Sequence, residues 1–156
     1  MSSKTDAGRK SILAPLSGQA VPLEQVPDDV FSQKILGDGI AIIPSDGKLY
    51  APVNGEIASV AETLHAYGFT SEDGLEILVH VGLDSVKLKG EGFTSHVQAG
   101  DKVKAGQLVA EVDLKFLISQ GVPATTPVLI CEGAEDAALN TMTGDVKAGK
   151  TKVITL

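Results

Sequence analysis

The sequence predicts an all-β fold, a sandwich or barrel with internally repeated halves and short helical turns, and three observations carry that reading. Seventeen glycines and seven prolines cut the chain into short apolar runs, spaced at roughly the ten residues typical of strands in sandwiches and barrels. Ala14-Pro15-Leu16-Ser17-Gly18 returns 37 positions later as Ala51-Pro52-Val53-Asn54-Gly55. Gly100-Asp101-Lys102-Val103-Lys104-Ala105-Gly106 returns, one residue shorter, as Gly144-Asp145-Val146-Lys147-Ala148-Gly149. Two copies of each motif are too few for a solenoid but suit one sandwich made of related halves. At 156 residues the chain has the length of one domain. Its 43% hydrophobic and 21% charged content is ordinary for a globular protein.

Taken in order, residues 1–10 read as a disordered polar tail with little to bury, and residues 11–156 as the folded domain. Candidate strands cover Gly39–Ile43, Gly55–His65, Leu75–Val81, Leu108–Val112, Val128–Cys131 and Val153–Leu156. Two stretches break the pattern. Asp28 to Leu36 suits a short helical turn. Asp113 is placed to cap a helix over Leu114–Gln120, with Gly121 to end it and Leu114, Leu117 and Ile118 on one face. The Gly-Asp pairs of the second repeat suit tight turns, since both residues tolerate positive φ.

Thirteen basic against twenty acidic residues give a net charge of −7 with no basic stripe, which excludes nucleic acid as the expected partner. No apolar run is long enough for a membrane helix. The polar N-terminus lacks the hydrophobic stretch of a signal peptide or an interfacial helix, so the expected address is the cytoplasm, without direct membrane insertion. The single cysteine, Cys131, excludes an internal disulfide and reads as a small buried hydrophobe beside Ile130.

One motif misleads. Gly144 to Thr151 satisfies the G-x-x-x-x-G-K-[ST] pattern of a phosphate-binding loop. That loop needs a helix behind it, whose N–H groups meet the phosphate. Lys152-Val153-Ile154-Thr155-Leu156 is too short and too β-branched to supply one. These residues read as a turn.

The chemistry rests on histidines, of which there are three. In Leu75-Glu76-Ile77-Leu78-Val79-His80-Val81-Gly82 the odd positions are apolar, so the strand period of two places His80 on the opposite face with Glu76 and Leu78. Gly82 is expected to leave room beside the imidazole. Along Ile57–His65 the same alternation groups His65 with Ala61 and Thr63. Both histidines are thus expected at strand ends, on a face turned to water or to a partner. Three readings stay open for the pair: ordinary surface histidines, an incomplete zinc site, or phosphoryl transfer. In the last, one imidazole attacks phosphorus while the other donates to its oxygens. His96 reads as a surface residue.

Longer segments narrow the choice. Val30-Phe31-Ser32-Gln33-Lys34-Ile35-Leu36-Gly37-Asp38-Gly39-Ile40-Ala41-Ile42, Thr63-Leu64-His65-Ala66, Glu76 through Val86 and Leu88-Lys89-Gly90-Glu91-Gly92-Phe93 stand in this order with the two Ala-Pro-x-x-Gly motifs. Together they resemble the glucose-type IIA domain of the bacterial sugar phosphotransferase system, over about Ile12 to Leu156. The resemblance implies a compact antiparallel β-sandwich in which His80 carries the phosphoryl group on Nε2, His65 helps pass it on, and Thr63 holds the network. It implies the histidine-containing phosphocarrier protein as donor and a cysteine of a IIB domain as acceptor. It also implies a docking ring, matched here by Val30, Phe31, Ile35, Leu36, Leu78 and Val86, with Asp84 among them. Phe31 and Ile35 are expected as an exposed pair at helical spacing.

Relatives of this type add further expectations. No cofactor is required; zinc between His65 and His80, completed by a partner carboxylate, is a subsidiary one. Regulated transporters or kinases bound through the same face are an alternative role. Ala61 departs from the aromatic residue that the family often carries four positions before His65, which predicts a looser ring on that side.

Overall fold

The computed structural model describes residues 10–134 and 139–156, so most of the expected N-terminal tail lies outside the described residues. Its strands are β1 (Ser11–Leu13), β2 (Gly18–Pro22), β3 (Asp38–Pro44), β4 (Lys48–Tyr50), β5 (Gly55–Val60), β6 (Ala66–Ser71), β7 (Glu76–His80), β8 (Phe93–Ser95), β9 (Lys102–Val103), β10 (Leu108–Val112), β11 (Thr126–Glu132), β12 (Asn140–Thr141), β13 (Gly144–Val146) and β14 (Lys152–Thr155). Among the described residues there are also two short α-helices, α1 (Asp29–Ser32) and α2 (Leu114–Ser119), and two 3-10 turns. The strands form an eight-stranded sheet in the order β13-β2-β3-β11-β7-β6-β5-β9 and two three-stranded sheets, β1-β14-β12 and β4-β10-β8. All pairings are antiparallel, the all-β sandwich that the turn spacing predicts.

The repeated motifs do the same job twice. Ala14 donates its N–H to the Thr151 carbonyl and accepts from Gly149, while Ala51 donates to the Gln107 carbonyl and accepts from Gly106. Three residues on, Ser17 Oγ accepts the Ala148 N–H at 2.9 Å, and Asn54 Oδ1 accepts the Ala105 N–H at 2.8 Å. Each Ala-Pro-x-x-Gly motif therefore clasps one Gly-Asp motif. The strand pairs that follow match as well, β2 with β13 and β5 with β9. The false phosphate loop is one of these clasps, and β14 rather than a helix follows it.

The central strands of the eight-stranded sheet are covered on both faces. On one side Ile40, Ile42, Tyr67, Phe69, Ile77, Val79, Val128 and Ile130 join the main core, with Ile12, Leu49, Val109 and Ile154 from the smaller sheets. On the other side Ala41, Leu78 and Leu129 pack under Leu23, Val26, Phe31 and Leu83 in a second cluster. The segment running through the first 3-10 turn and α1 thus roofs the face that carries His80. Asp28 caps α1 by accepting the Val30 N–H at 3.0 Å, as Asp113 caps α2 by accepting from Phe116.

Several expectations are corrected here. The predicted strand Gly55–His65 is a shorter strand and a turn: β5 stops at Val60, its register against β6 slips between Ile57 and Ser59, and β6 starts only at Ala66. Phe31 is buried, at 4% exposure, where the pairing with Ile35 suggested a solvent-facing ring. Burying such a side chain stabilises by about 1.5–3 kcal/mol, and the second cluster provides the site. In α2 only Leu117 is fully buried; Ile118 is 71% exposed and Phe116 packs in its place. Cys131 is exposed because the fully buried run of β11 ends at Ile130.

Candidate functional site

His80 ends β7 on the roofed face, as period two predicts. Its Nδ1 lies 2.8 Å from the Gly82 carbonyl oxygen. A carbonyl only accepts, so Nδ1 carries the proton and the neutral ring keeps its lone pair on Nε2. Gly82 acts through its backbone rather than by leaving space beside the ring. Its φ of 84° favours glycine, and an added Cβ would meet the Pro123 carbonyl oxygen at 3.0 Å and the Ser85 Cβ at 3.2 Å.

His65 does not continue a strand into this face. The tight turn after β5 bonds Leu64 N–H to the Ala61 carbonyl and Ala61 N–H to the Ala66 carbonyl. Leu64 adopts a left-handed conformation at φ 60°, uncommon outside glycine, and β6 starts only at Ala66. The turn re-aims His65, which is buried rather than turned to water. Its backbone carbonyl accepts the Val81 N–H at 2.7 Å, tying the two histidine segments together. Thr63 Oγ1 lies 2.7 Å from His65 Nδ1.

The structure thus brings together the three residues singled out for chemistry. The imidazoles of His65 and His80 meet edge to face, with ring centroids 4.9 Å apart and an interplanar angle of 79°. His80 also contacts Phe31, centroid to centroid 5.0 Å. Thr63 reaches the pair through His65. His96 stands elsewhere, on the surface, with Nε2 at 2.8 Å from Glu111 Oε2.

Both central histidines sit below the ordinary imidazole value of 6.5. Burial is the main cause for His80; the Gly82 carbonyl and the charges of Asp28 and Asp84 act against it without overcoming it. For His65 burial again leads, reinforced by the charge of His80 and opposed by a backbone hydrogen bond at Thr63. Two neutral imidazoles at pH 7 follow, the state in which Nε2 is nucleophilic. Asp28 is the residue that sequence reasoning passed over: it suggested a helix start, and nothing in its spacing showed that the start lies beside His80.

A stability prediction comes directly from these shifts. The unfolded chain takes up protons at pH 6.5, the folded pair only below it, so acidification favours the unfolded state. The stabilisation from neutral burial is complete above pH 6.5 and is lost as pH falls through the lowered values. Urea midpoints measured from pH 7.5 to 5 should fall more steeply for this protein than for the His65→Asn, His80→Asn double variant. A wild-type slope no steeper than the variant's contradicts the neutral-pair account.

The rim is apolar. Val30, Ile35, Leu36 and Val86 are 42%, 65%, 45% and 56% exposed. Leu78 is half-buried in the cluster beneath, and Asp84 is exposed at φ 58°. Phe31, expected among them, is buried instead, in the second cluster against His80. No helix among the described residues is long and apolar enough to cross a membrane.

A β-sandwich holding two neutral imidazoles ring to ring has the chemistry of a protein that carries a group on histidine. Residues 10–135 match the family described as phosphoenolpyruvate-dependent sugar phosphotransferase system, EIIA 1, and the chain belongs to that family. It is similar to the PTS system glucose-specific EIIA component of Buchnera aphidicola subsp. Acyrthosiphon pisum, at 45% identity over 148 residues, covering 95% of this chain and 92% of that one. It is also similar in structure to the glucose permease IIA from Mycoplasma capricolum. There the TM-score is 0.87 at 36% identity, covering 94% of this chain and 95% of the other. As an EIIA component the protein is a phosphoryl carrier of a sugar phosphotransferase system. Its donor is the histidine-containing phosphocarrier protein and its acceptor a IIB domain.

Proposed function

We propose that His80 is the residue that carries the phosphoryl group, on Nε2, in the cytoplasm. The hydrogen bond from Nδ1 to the Gly82 carbonyl is the single observation that supports it most, because it leaves Nε2 as the only lone pair on the ring. In the first step the Nε2 lone pair attacks phosphorus and the donor's P–N bond breaks, returning its electron pair to the donor imidazole. In the second, a cysteine thiolate of the IIB domain attacks phosphorus and the pair returns to Nε2.

His65 stabilises the transferring oxygens. In this reading the Thr63 hydroxyl donates to His65 Nδ1, which leaves Nε2–H of His65 to donate to the phosphoryl group. Phosphorylation also leaves Nδ1–H of His80 on a ring of greater positive character, so its bond to the Gly82 carbonyl strengthens as the charge develops.

Val30, Ile35, Leu36 and Val86 form the docking rim over Phe31 and Leu78, and Asp28 and Asp84 offer negative charge to a basic partner. Ile35→Asp combined with Val86→Asp should raise KM for the phosphorylated donor at least about tenfold and leave kcat and melting temperature nearly unchanged. Steady-state transfer at varied donor concentration measures this, and unchanged KM removes the rim from the interface.

Zinc is the other use of the same atoms. With both Nδ1 atoms engaged, each ring offers a metal only Nε2; for His65 this requires the other tautomer, in which Nδ1–H donates to the Thr63 hydroxyl oxygen and Nε2 is left with its lone pair. Among the described residues no group of three or more histidine, cysteine or carboxylate side chains is placed to hold an ion. We infer that His65 and His80 would supply two ligands, and that a partner carboxylate must complete a tetrahedral set. Zinc titration calorimetry should therefore show tight binding only with an acidic partner present; tight binding to the protein alone contradicts it.

A further inference from the structure

Ser85 opens the 3-10 turn Ser85–Leu88 and has no solvent exposure. A hydroxyl buried that completely needs a partner, and its Oγ donates to the Val81 carbonyl oxygen at 2.6 Å. That carbonyl lies in the peptide unit just before Gly82. The unit just after Gly82 is held too, since the Leu83 N–H donates to the Pro123 carbonyl at 3.0 Å. Gly82 sits between two pinned peptide planes, at a φ of 84° that glycine leaves freely when unpinned. The carbonyl that binds His80 Nδ1 belongs to this glycine.

We propose that Ser85 is a positioning residue for phosphoryl transfer: by holding the Val81 carbonyl it fixes the Gly82 backbone, and through it the ring orientation and tautomer of His80. This rests on His80 being the carrier. Val81 bears load on both sides, because its N–H is bonded to the His65 carbonyl while its own carbonyl takes the Ser85 hydroxyl. Removing the hydroxyl leaves the Val81 carbonyl buried without that donor and frees the peptide before Gly82 to rotate. The Gly82 carbonyl is then held only from the far side, through the Leu83 N–H on Pro123; it tilts from the line to Nδ1–H, and part of the population carries its proton on Nε2, where it blocks attack.

The test compares wild type with Ser85→Ala, Ser85→Thr and Ser85→Cys. Nitrogen-15 NMR of the unphosphorylated imidazole at pH 8 reads the tautomer directly, and transfer from the phosphorylated donor gives kcat and KM separately. Wild type and Ser85→Thr should show Nδ1–H alone. Ser85→Ala should show a mixture and a kcat lower by about three- to tenfold at unchanged KM, the scale of one lost hydrogen bond. If Ser85→Ala fails to fold, Ser85→Cys, with its weaker donor, should show an intermediate mixture. A single Nδ1–H tautomer in Ser85→Ala, or in Ser85→Cys where Ala does not fold, overturns the proposal. So does a kcat in that variant equal to that of wild type. The tautomer is read without phosphorylation, so it fails or holds independently of the carrier reading, which a His80→Gln control in the transfer assay tests.

Discussion

His80→Gln should abolish phosphoryl acceptance, reducing transfer by more than about 10⁴-fold, the scale at which losing a covalent nucleophile is felt. Glutamine preserves much of the polar volume at the end of β7 but has no basic nitrogen, so no P–N bond forms. The fold should survive the change. His80 is half-buried at the margin of the second cluster, and the Gly82 turn keeps its bonds to Pro123 and Ser85. Rapid-quench assay with the phosphorylated donor checks the rate, and circular dichroism the fold. Acceptance at anything near the wild-type rate would assign the nucleophile elsewhere.

His65→Gln should separate the two halves of the reaction. The nucleophilic nitrogen and its Gly82 anchor are intact in this variant, so His80 still accepts. Passing the group on is the harder step for it, because the second imidazole is the neighbour placed ring to ring with the carrier. Loss of one preorganised donor to a developing phosphoryl charge costs about 10²–10³-fold. The variant should therefore accumulate as phosphoprotein when a IIB domain is added, while wild type discharges. Single-turnover discharge of isolated phosphoprotein measures the ratio; equal discharge rates would remove His65 from the relay.

How far the sequence reaches is clearest at these two histidines. The alternation through Leu75–Val81 is uninterrupted, so the face of His80 follows from period two alone, and the structure agrees. The segment before His65 holds a slipped register and a left-handed Leu64. Neither leaves a mark that periodicity detects, because leucine gives no sign of positive φ as glycine does. Alternation there groups His65 with the right neighbour, Thr63, while misplacing both on one long strand. Phe31 shows a different limit. Its spacing to Ile35 is that of an exposed pair, yet the sheet beneath it offers apolar Ala41, Leu78 and Leu129. Burial of the larger ring there leaves Ile35 outside. Which of two apolar residues a short helix buries depends on what packs under it, and a local pattern does not contain that. The repeats themselves are legible as repeats, but that each Ala-Pro-x-x-Gly motif clasps a Gly-Asp motif is not, because the clasp is made mainly of backbone groups that no side-chain pattern records.

The central claim is that His80 Nε2 carries the phosphoryl group, and one measurement meets it head on. The protein is incubated with phosphoenolpyruvate, enzyme I and the histidine-containing phosphocarrier protein, and its intact mass is recorded before and after brief acid treatment. Nitrogen-15 NMR of the product then identifies the phosphorylated ring atom. A gain of one phosphoryl group that acid removes, absent in His80→Gln and assigned to Nε2, is the result this account predicts. No gain with active upstream proteins, or a gain that persists in His80→Gln, would contradict it; the first outcome would turn attention to a regulator that acts through the same face by binding alone.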